Sequence, residues 1–285
     1  MSPYTGLVIC GARNAGTATH QEETTMVEIA NSARRRLEAG QVAAGVGLRQ
    51  ARTVDIAAAM KTAGFDWLFI DLEHNAMSLD TAVQISVAAN GVGIAPIVRV
   101  PNGQYDMATR ALDGGAMGIV IPHVDTGEEA QTVADRLRYP PQGHRSVAGG
   151  MPQLNFAPVS NAEAAAAFNK AMLVVVMLET PTAIANADAI AAVPGIDVLM
   201  IGTSDLTMEM GLSGQLTHPD VVQAYETVIA ACRKHGKWAG MGGVYVEEPM
   251  KKYIDMGVRM ILSGNDLSLL MAAATQRAKF MRSFG

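Results

Sequence analysis

Eight times along this chain a short apolar run gives way to a longer amphipathic stretch, and that alternation limits the fold more than any other feature. The apolar runs predict strands over residues 42–48, 65–71, 95–100, 117–121, 172–178, 197–201, 238–241 and 259–262. Helical spacing predicts helices over 53–63, capped by Thr53, and over 78–89, 104–112, 126–137, 182–192, 219–235, 247–256 and 267–281. An opening helix over 26–39 stops at Gly40, and an Ala-rich helix near 161–169 sits in the long connection before the fifth strand. Strict alternation implies parallel strands joined by right-handed crossovers. The runs are apolar throughout rather than alternating with polar residues, as expected of strands covered on both faces. Eight such units in about 240 residues predict an α/β fold of the (β/α)8 TIM-barrel type. This barrel forms a single domain over 26–285, behind a polar, Gly/Thr-rich N-terminal extension over 1–25. An open doubly wound sheet is the runner-up, but no Gly-rich GxGxxG turn follows the first strand.

Bulk properties narrow the function. The 285 residues are 49% hydrophobic and 17% charged, enough to bury a large core. A net charge of -5 argues against a general nucleic-acid binder, which needs a basic face. Anionic small molecules stay possible wherever an arginine or a metal supplies local positive charge. Cys10 and Cys232 form no CxxC or zinc spacing, and a reducing cytoplasm is the simpler setting. No apolar run reaches the length of a membrane span, and residues 1–20 do not have the layout of a signal peptide.

Parallel strands present their C-terminal ends on one rim, where barrel chemistry resides. Here the strand ends carry Arg49 and Gln50; Asp71, Glu73 and His74; Arg99; Pro122 and His123; Glu179 and Thr180; Gly202-Thr-Ser-Asp205; and Ser263-Gly-Asn-Asp266. Polarity is expected wherever strands stop. Arg99, Glu179 and Asp205, however, abut core strands directly and are costly to bury without partners. Glu179 and Asp205 follow neighbouring strands. They fit either a salt-bridged pair or, with water and substrate oxygens, an octahedral Mg²⁺ or Mn²⁺ site. Arg99 offers a planar fork for a carboxylate or a developing enolate oxygen, or else a structural ion pair. Imidazole titrates near neutrality, which makes His74 the candidate to take and return a proton, with Asp71 or Asp113 to fix its tautomer. His123 is left without a role.

Other features have plain alternatives. The turns 202–206 and 263–267 are either anion seats at helix starts or ordinary caps. The stiff loop from Pro140 through Ser146 forms a lid, or Arg145 pairs internally. Arg34, Arg35 and Arg36 read as a solvated helix face. No lysine ends a core strand; Lys61 and Lys237 lie at strand starts, which disfavours a Schiff-base mechanism.

Five segments in series resemble one family. They are Gly64-Phe-Asp-Trp-Leu-Phe-Ile-Asp-Leu-Glu-His74, Pro96-Ile-Val-Arg-Val100, Tyr139-Pro-Pro-Gln-Gly-His-Arg145, Leu178-Glu-Thr180 and Ile201-Gly-Thr-Ser-Asp-Leu206. Together they are similar to the HpcH/HpaI class II aldolases, which include 4-hydroxy-2-oxoheptanedioate and 2-dehydro-3-deoxyglucarate aldolases. The resemblance implies a carbon–carbon lyase that splits or forms 4-hydroxy-2-oxo acids, giving pyruvate and an aldehyde through a metal-held pyruvate enolate. It implies a divalent cation, Mg²⁺ or Mn²⁺ with Co²⁺ also possible, bound by Glu179 and Asp205. It makes His74 the acid/base and Arg99 the group that binds the pyruvate oxygen and stabilises the enolate. Asp71 and Asp113 would support the histidine, Asp113 from a neighbouring subunit. The backbone around Ser204 and Asp205 would bind the pyruvate carboxylate.

The family also implies a homo-oligomer, a trimer or a hexamer built as a trimer of dimers. Its small-molecule partners would be a 2-oxo acid and an aldehyde, with no nucleic acid and no membrane. Alternatives within the superfamily are an oxaloacetate decarboxylase and a CoA-thioester lyase; a non-catalytic oxo-acid-binding barrel is a third. Met177 departs from the glutamine usual two residues before the metal glutamate. Arg49-Gln50, Ala148-Gly-Gly150 and Gly242-Gly243 depart as well.

Overall fold

The eight expected strands close into one parallel barrel in chain order. A computed structural model describes residues 27–284, so the extension and Cys10 lie outside the described residues. The strands are β1 (Ala43–Leu48), β2 (Trp67–Asp71), β3 (Ala95–Arg99), β4 (Gly118–Ile121), β5 (Leu173–Leu178), β6 (Val198–Gly202), β7 (Trp238–Gly242) and β8 (Met260–Asn265). β8 pairs back onto β1. The apolar runs are buried between a packed barrel interior and an outer helical layer.

Close approach dictates one detail of this wall. Gly45 of β1 pairs with Trp67 of β2, and a Cβ on Gly45 would stand only 2.1 Å from the indole. Glycine there lets Trp67 lie across β1, where its Nε1 donates to the Ala43 carbonyl at 3.1 Å.

The helices are α1 (Ser32–Glu38), α2 (Ile56–Thr62), α3 (Leu79–Val92), α4 (Tyr105–Asp113), α5 (Gly127–Leu137), α6 (Asn161–Ala171), α7 (Pro181–Ala185), α8 (Ala187–Ala191), α9 (Thr203–Glu209), α10 (Pro219–His235), α11 (Glu247–Met256) and α12 (Asp266–Arg282). Several boundaries follow local capping chemistry. Thr126 opens α5 with a capping box to Glu129, and Ser78 caps α3, which ends at left-handed Gly93.

Four expectations need correction. Thr53 does not cap α2, which starts after Asp55 without a side-chain cap. The helix expected over 182–192 breaks into α7 and α8 at Asn186, whose Nδ2 donates to the Asp125 carbonyl at 2.8 Å. The opening helix is confined to α1 because Asn31 caps it, while the same side chain donates to the Met117 and Ala171 carbonyls at 3.0 and 2.9 Å. Arg34 is not on a solvated face. It reaches under the barrel to Asp197 at 2.7 Å and lies over Trp238, leaving Arg35 and Arg36 exposed.

The last helix is unlike the others. None of the residues of α12 is buried, although it carries Leu269, Leu270, Met271, Phe280 and Met281. Among the described residues no helix is long and apolar enough to cross a membrane.

Candidate active site at the barrel mouth

The C-terminal ends of β1, β2, β3, β5, β6, β7 and β8 surround a cavity of about 270 Å³. Of the residues singled out in the sequence, Asp71, His74, Arg99, Ser204 and Asp205 line it. Glu179 lies directly after β5, almost fully buried at 1% exposure.

Arg99 is the best-held group. Its Nε and Nη2 donate to the two oxygens of Asp71 at 2.9 and 2.7 Å. Its Nη1 lies 3.0 Å from Glu73 Oε2, off the hydrogen-bond direction, so that buried oxygen has no hydrogen-bond donor. The guanidinium also sits over the Phe69 ring, 5.0 Å from its centroid. Burial by itself would lower the pKa of Arg99, but the charges of Asp71, Glu73 and Glu179 reverse the direction and hold it firmly protonated. Burial would likewise raise Asp71. The hydrogen bond and charge of Arg99, with the Glu73 and His74 backbone N–H groups, outweigh it and keep the carboxyl below the usual range.

Glu179 meets the opposite situation. Burial pushes its carboxyl above the usual range and the charge of Asp205 pushes the same way, while His123 and Arg99 oppose. Its Oε2 accepts the His123 backbone N–H at 2.9 Å, and His123 Nδ1 stands 3.2 Å away. His123 achieves this with a left-handed backbone, φ 52°. Its strand-end position was visible in the sequence, but nothing there linked it to Glu179. Gly202 completes the arrangement, because a Cβ at that position would fall 2.6 Å from the Glu179 side chain.

His74 is exposed at the rim. Asp71 accepts its backbone N–H at 3.3 Å, but both Asp71 oxygens are taken up by Arg99, so Asp71 orients the loop and not the ring. The carboxylate nearest the imidazole is Glu73, with Oε2 3.8 Å from Nε2. Asp113 does not reach the cavity within the chain. It ends α4 and pairs with Arg145 at 2.5 Å.

Arg145 itself is sandwiched between Tyr139 and Phe168, 4.4 and 4.7 Å from the two ring centroids. The expected lid is therefore tied down by internal pairing over its first half. The start of α12 is ordinary capping: Asn265 and Ser268 cap each other. Met177 brings its sulfur 4.0 Å from Arg99 Nη1. Asn265, from the turn read as an anion seat or a cap, lines the cavity, as does Tyr245, to which sequence reasoning gave no role; an isolated tyrosine beyond a strand carries no motif.

Comparison with known proteins identifies the family. The profile of the HpcH/HpaI aldolase/citrate lyase family matches residues 49–273. A 4-hydroxy-4-methyl-2-oxoglutarate aldolase of Hapsidospora irregularis is 38% identical, over 89% of this chain and 95% of its own length. A 5-keto-4-deoxy-D-glucarate aldolase of Salmonella arizonae is 36% identical, over 76% of this chain and 83% of its own. The crystal structure of an HpcH/HpaI aldolase from Desulfitobacterium hafniense superposes with a TM-score of 0.82 at 29% identity, covering 87% of this chain and 96% of that one. The matching profile and these relatives show that the chain belongs to the HpcH/HpaI aldolase/citrate lyase family.

Proposed function

We propose that the chain is a divalent-metal-dependent aldolase that cleaves or forms 4-hydroxy-2-oxo acids, with pyruvate and an aldehyde as the products of cleavage. The observation that carries this reading is that Glu179 and Asp205 follow neighbouring strands, close enough for the charge of Asp205 to act on the Glu179 carboxyl. Burial and then the charge of Asp205 push the Glu179 carboxyl up, Glu179 is almost fully buried, and a cation bound there relieves that cost.

The donor set fits a hard ion. Among the described residues no three His, Cys, Asp or Glu side chains converge on one point. Two carboxylates that leave the remaining positions to water and substrate oxygens suit Mg²⁺ or Mn²⁺, with Co²⁺ also accommodated. When bound, such a cation supplies Lewis-acid polarisation of a 2-oxo group.

The other steps belong to this chain's side chains. The backbone N–H groups at Ser204 and Asp205, at the start of α9, receive the substrate carboxylate. Arg99, fixed by Asp71 and Glu73, points its charge at the oxygen that becomes an enolate. His74, directly or through a water, takes the proton of the 4-hydroxyl. The C3–C4 bond then breaks, its electron pair forms the enolate and the aldehyde departs. Protonation at C3 gives pyruvate.

The chain works as a homo-oligomer in this reading. A long helix with no buried residue and a run of large apolar side chains finds its cover on another copy. The test of function is pyruvate release from a 4-hydroxy-2-oxo acid, set against release from oxaloacetate, with and without chelator. Metal-dependent aldol cleavage supports the proposal; cleavage undiminished in EDTA contradicts it.

A further inference from the structure

Arg99 has its counter-charges, but the cavity holds a second arginine that has none among the described residues. Arg49 follows β1 and lines the cavity. Its Nη2 donates only to the His74 carbonyl, at 3.3 Å. Among the described residues no carboxylate comes within salt-bridge distance of its guanidinium, whereas Arg99 has both Asp71 and Glu73. The adjacent Asp266 does not serve it. Its oxygens accept the backbone N–H groups of Arg49, Gln50 and Ala51 at 2.7, 2.9 and 2.7 Å, and that of Leu267 at 2.8 Å. These bonds instead anchor the loop that carries Arg49, so the guanidinium is displayed from a fixed backbone.

Topology says which part of a substrate it meets. In a ring of eight strands β1 lies opposite β5, and β2 opposite β6. The oxo-acid end sits against Glu179 after β5 and Asp205 after β6, a placement taken from the function proposed above. The rest of the molecule then extends past His74, after β2, toward β1. Two strand spacings separate β1 from β3, on the order of 10 Å, so Arg49 and Arg99 serve different ends of one ligand. Tyr245 lines the same side, and its phenol lies within the field of both arginines.

We propose that Arg49 is the specificity-determining residue for the far end of the substrate, selecting 2-oxo acids that carry a second carboxylate. The guanidinium fork matches a carboxylate in geometry and charge. In a chain of net charge -5, an uncompensated cation at the cavity wall is what admits a dianion.

The test compares 2-oxoglutarate with 2-oxopentanoate, which differ only in the distal carboxylate. Binding is measured by calorimetry on the full chain with Mg²⁺ present, for wild type, Arg49→Ala and Arg49→Lys. Wild type is expected to prefer 2-oxoglutarate by roughly tenfold, the worth of one partly exposed charge-assisted contact. Arg49→Ala should erase that preference by weakening only the dicarboxylate, and Arg49→Lys should keep part of it. Absence of a preference in wild type, or a preference that survives in Arg49→Ala, overturns the proposal. Equal weakening of both ligands in Arg49→Ala does the same. Proton exchange at C3 of pyruvate in D₂O, run on the same proteins, judges the aldolase reading separately. No exchange in wild type would end that reading while the binding comparison still decides the role of Arg49.

Discussion

Arg99 and Asp71 meet as a two-pronged ion pair beneath the cavity, Nε to Oδ1 at 2.9 Å and Nη2 to Oδ2 at 2.7 Å. The two residues stand side by side in register at the ends of β3 and β2. The pair holds the guanidinium in place, ties the second strand's loop to the third strand, and under the proposed function positions the charge that receives an enolate oxygen.

Asp71→Asn should therefore damage stability as well as turnover. Removing one partner of a buried pair costs about 3–5 kcal/mol, although Glu73 remains beside Arg99 and moves the cost toward the lower end. The pH dependence has a definite sign. The folded pKa of Asp71 is depressed, so its contribution is fully present above the unfolded value of about 3.9. It is lost as pH falls through the lower folded value. Denaturant melts below about pH 4 should thus fall more steeply for wild type than for Asp71→Asn; parallel acid limbs would contradict the assignment.

Gly202→Ala tests the packing that holds Glu179. The new Cβ would lie 2.6 Å from Glu179 Cγ and Oε1, forcing the carboxylate out of place at an overpacking cost of about 1–3 kcal/mol. Metal affinity should drop while the chain stays folded. Unchanged metal binding by calorimetry would show that the glycine matters only to the strand.

Much of this was legible in the sequence, for a physical reason. Strands buried on both faces must be apolar along their length, so the eight runs stand out, and Pro219–His235 forms α10 with the boundaries its pattern predicts. Charges that abut such runs are conspicuous, which exposed Arg99, Glu179 and Asp205. What escaped were partnerships across long stretches of chain. Arg34 meets Asp197 beneath the barrel, His123 meets Glu179, and Asp266 gathers the N–H groups after β1. No local pattern encodes them. Asn186 breaks a helix through its bond to Asp125, also invisible to periodicity. The apolar residues of α12 predict a buried face, yet the chain alone does not bury one.

His74→Ala should slow aldol cleavage by about 10²–10⁴-fold, the usual worth of a general acid–base group. Metal affinity should stay unchanged, because the imidazole does not touch Glu179 or Asp205. Unchanged turnover would remove His74 from proton transfer.

The exposed helix makes a further prediction. Sedimentation should show the wild-type chain as a homo-oligomer, and Leu270→Asp, at a position 62% exposed within the chain, should dissociate it. A wild-type protein that sediments as a monomer would leave α12 without the cover inferred for it.

The central claim is that Glu179 and Asp205 hold one cation between them. Mn²⁺ titration followed by electron paramagnetic resonance tests it most directly, on wild type, Glu179→Gln, Asp205→Asn and the double variant, with circular dichroism to confirm folding. One tight site per chain is expected in wild type, weakened in each single variant and absent in the double variant. Tight binding of Mn²⁺ that persists in the folded double variant would contradict it.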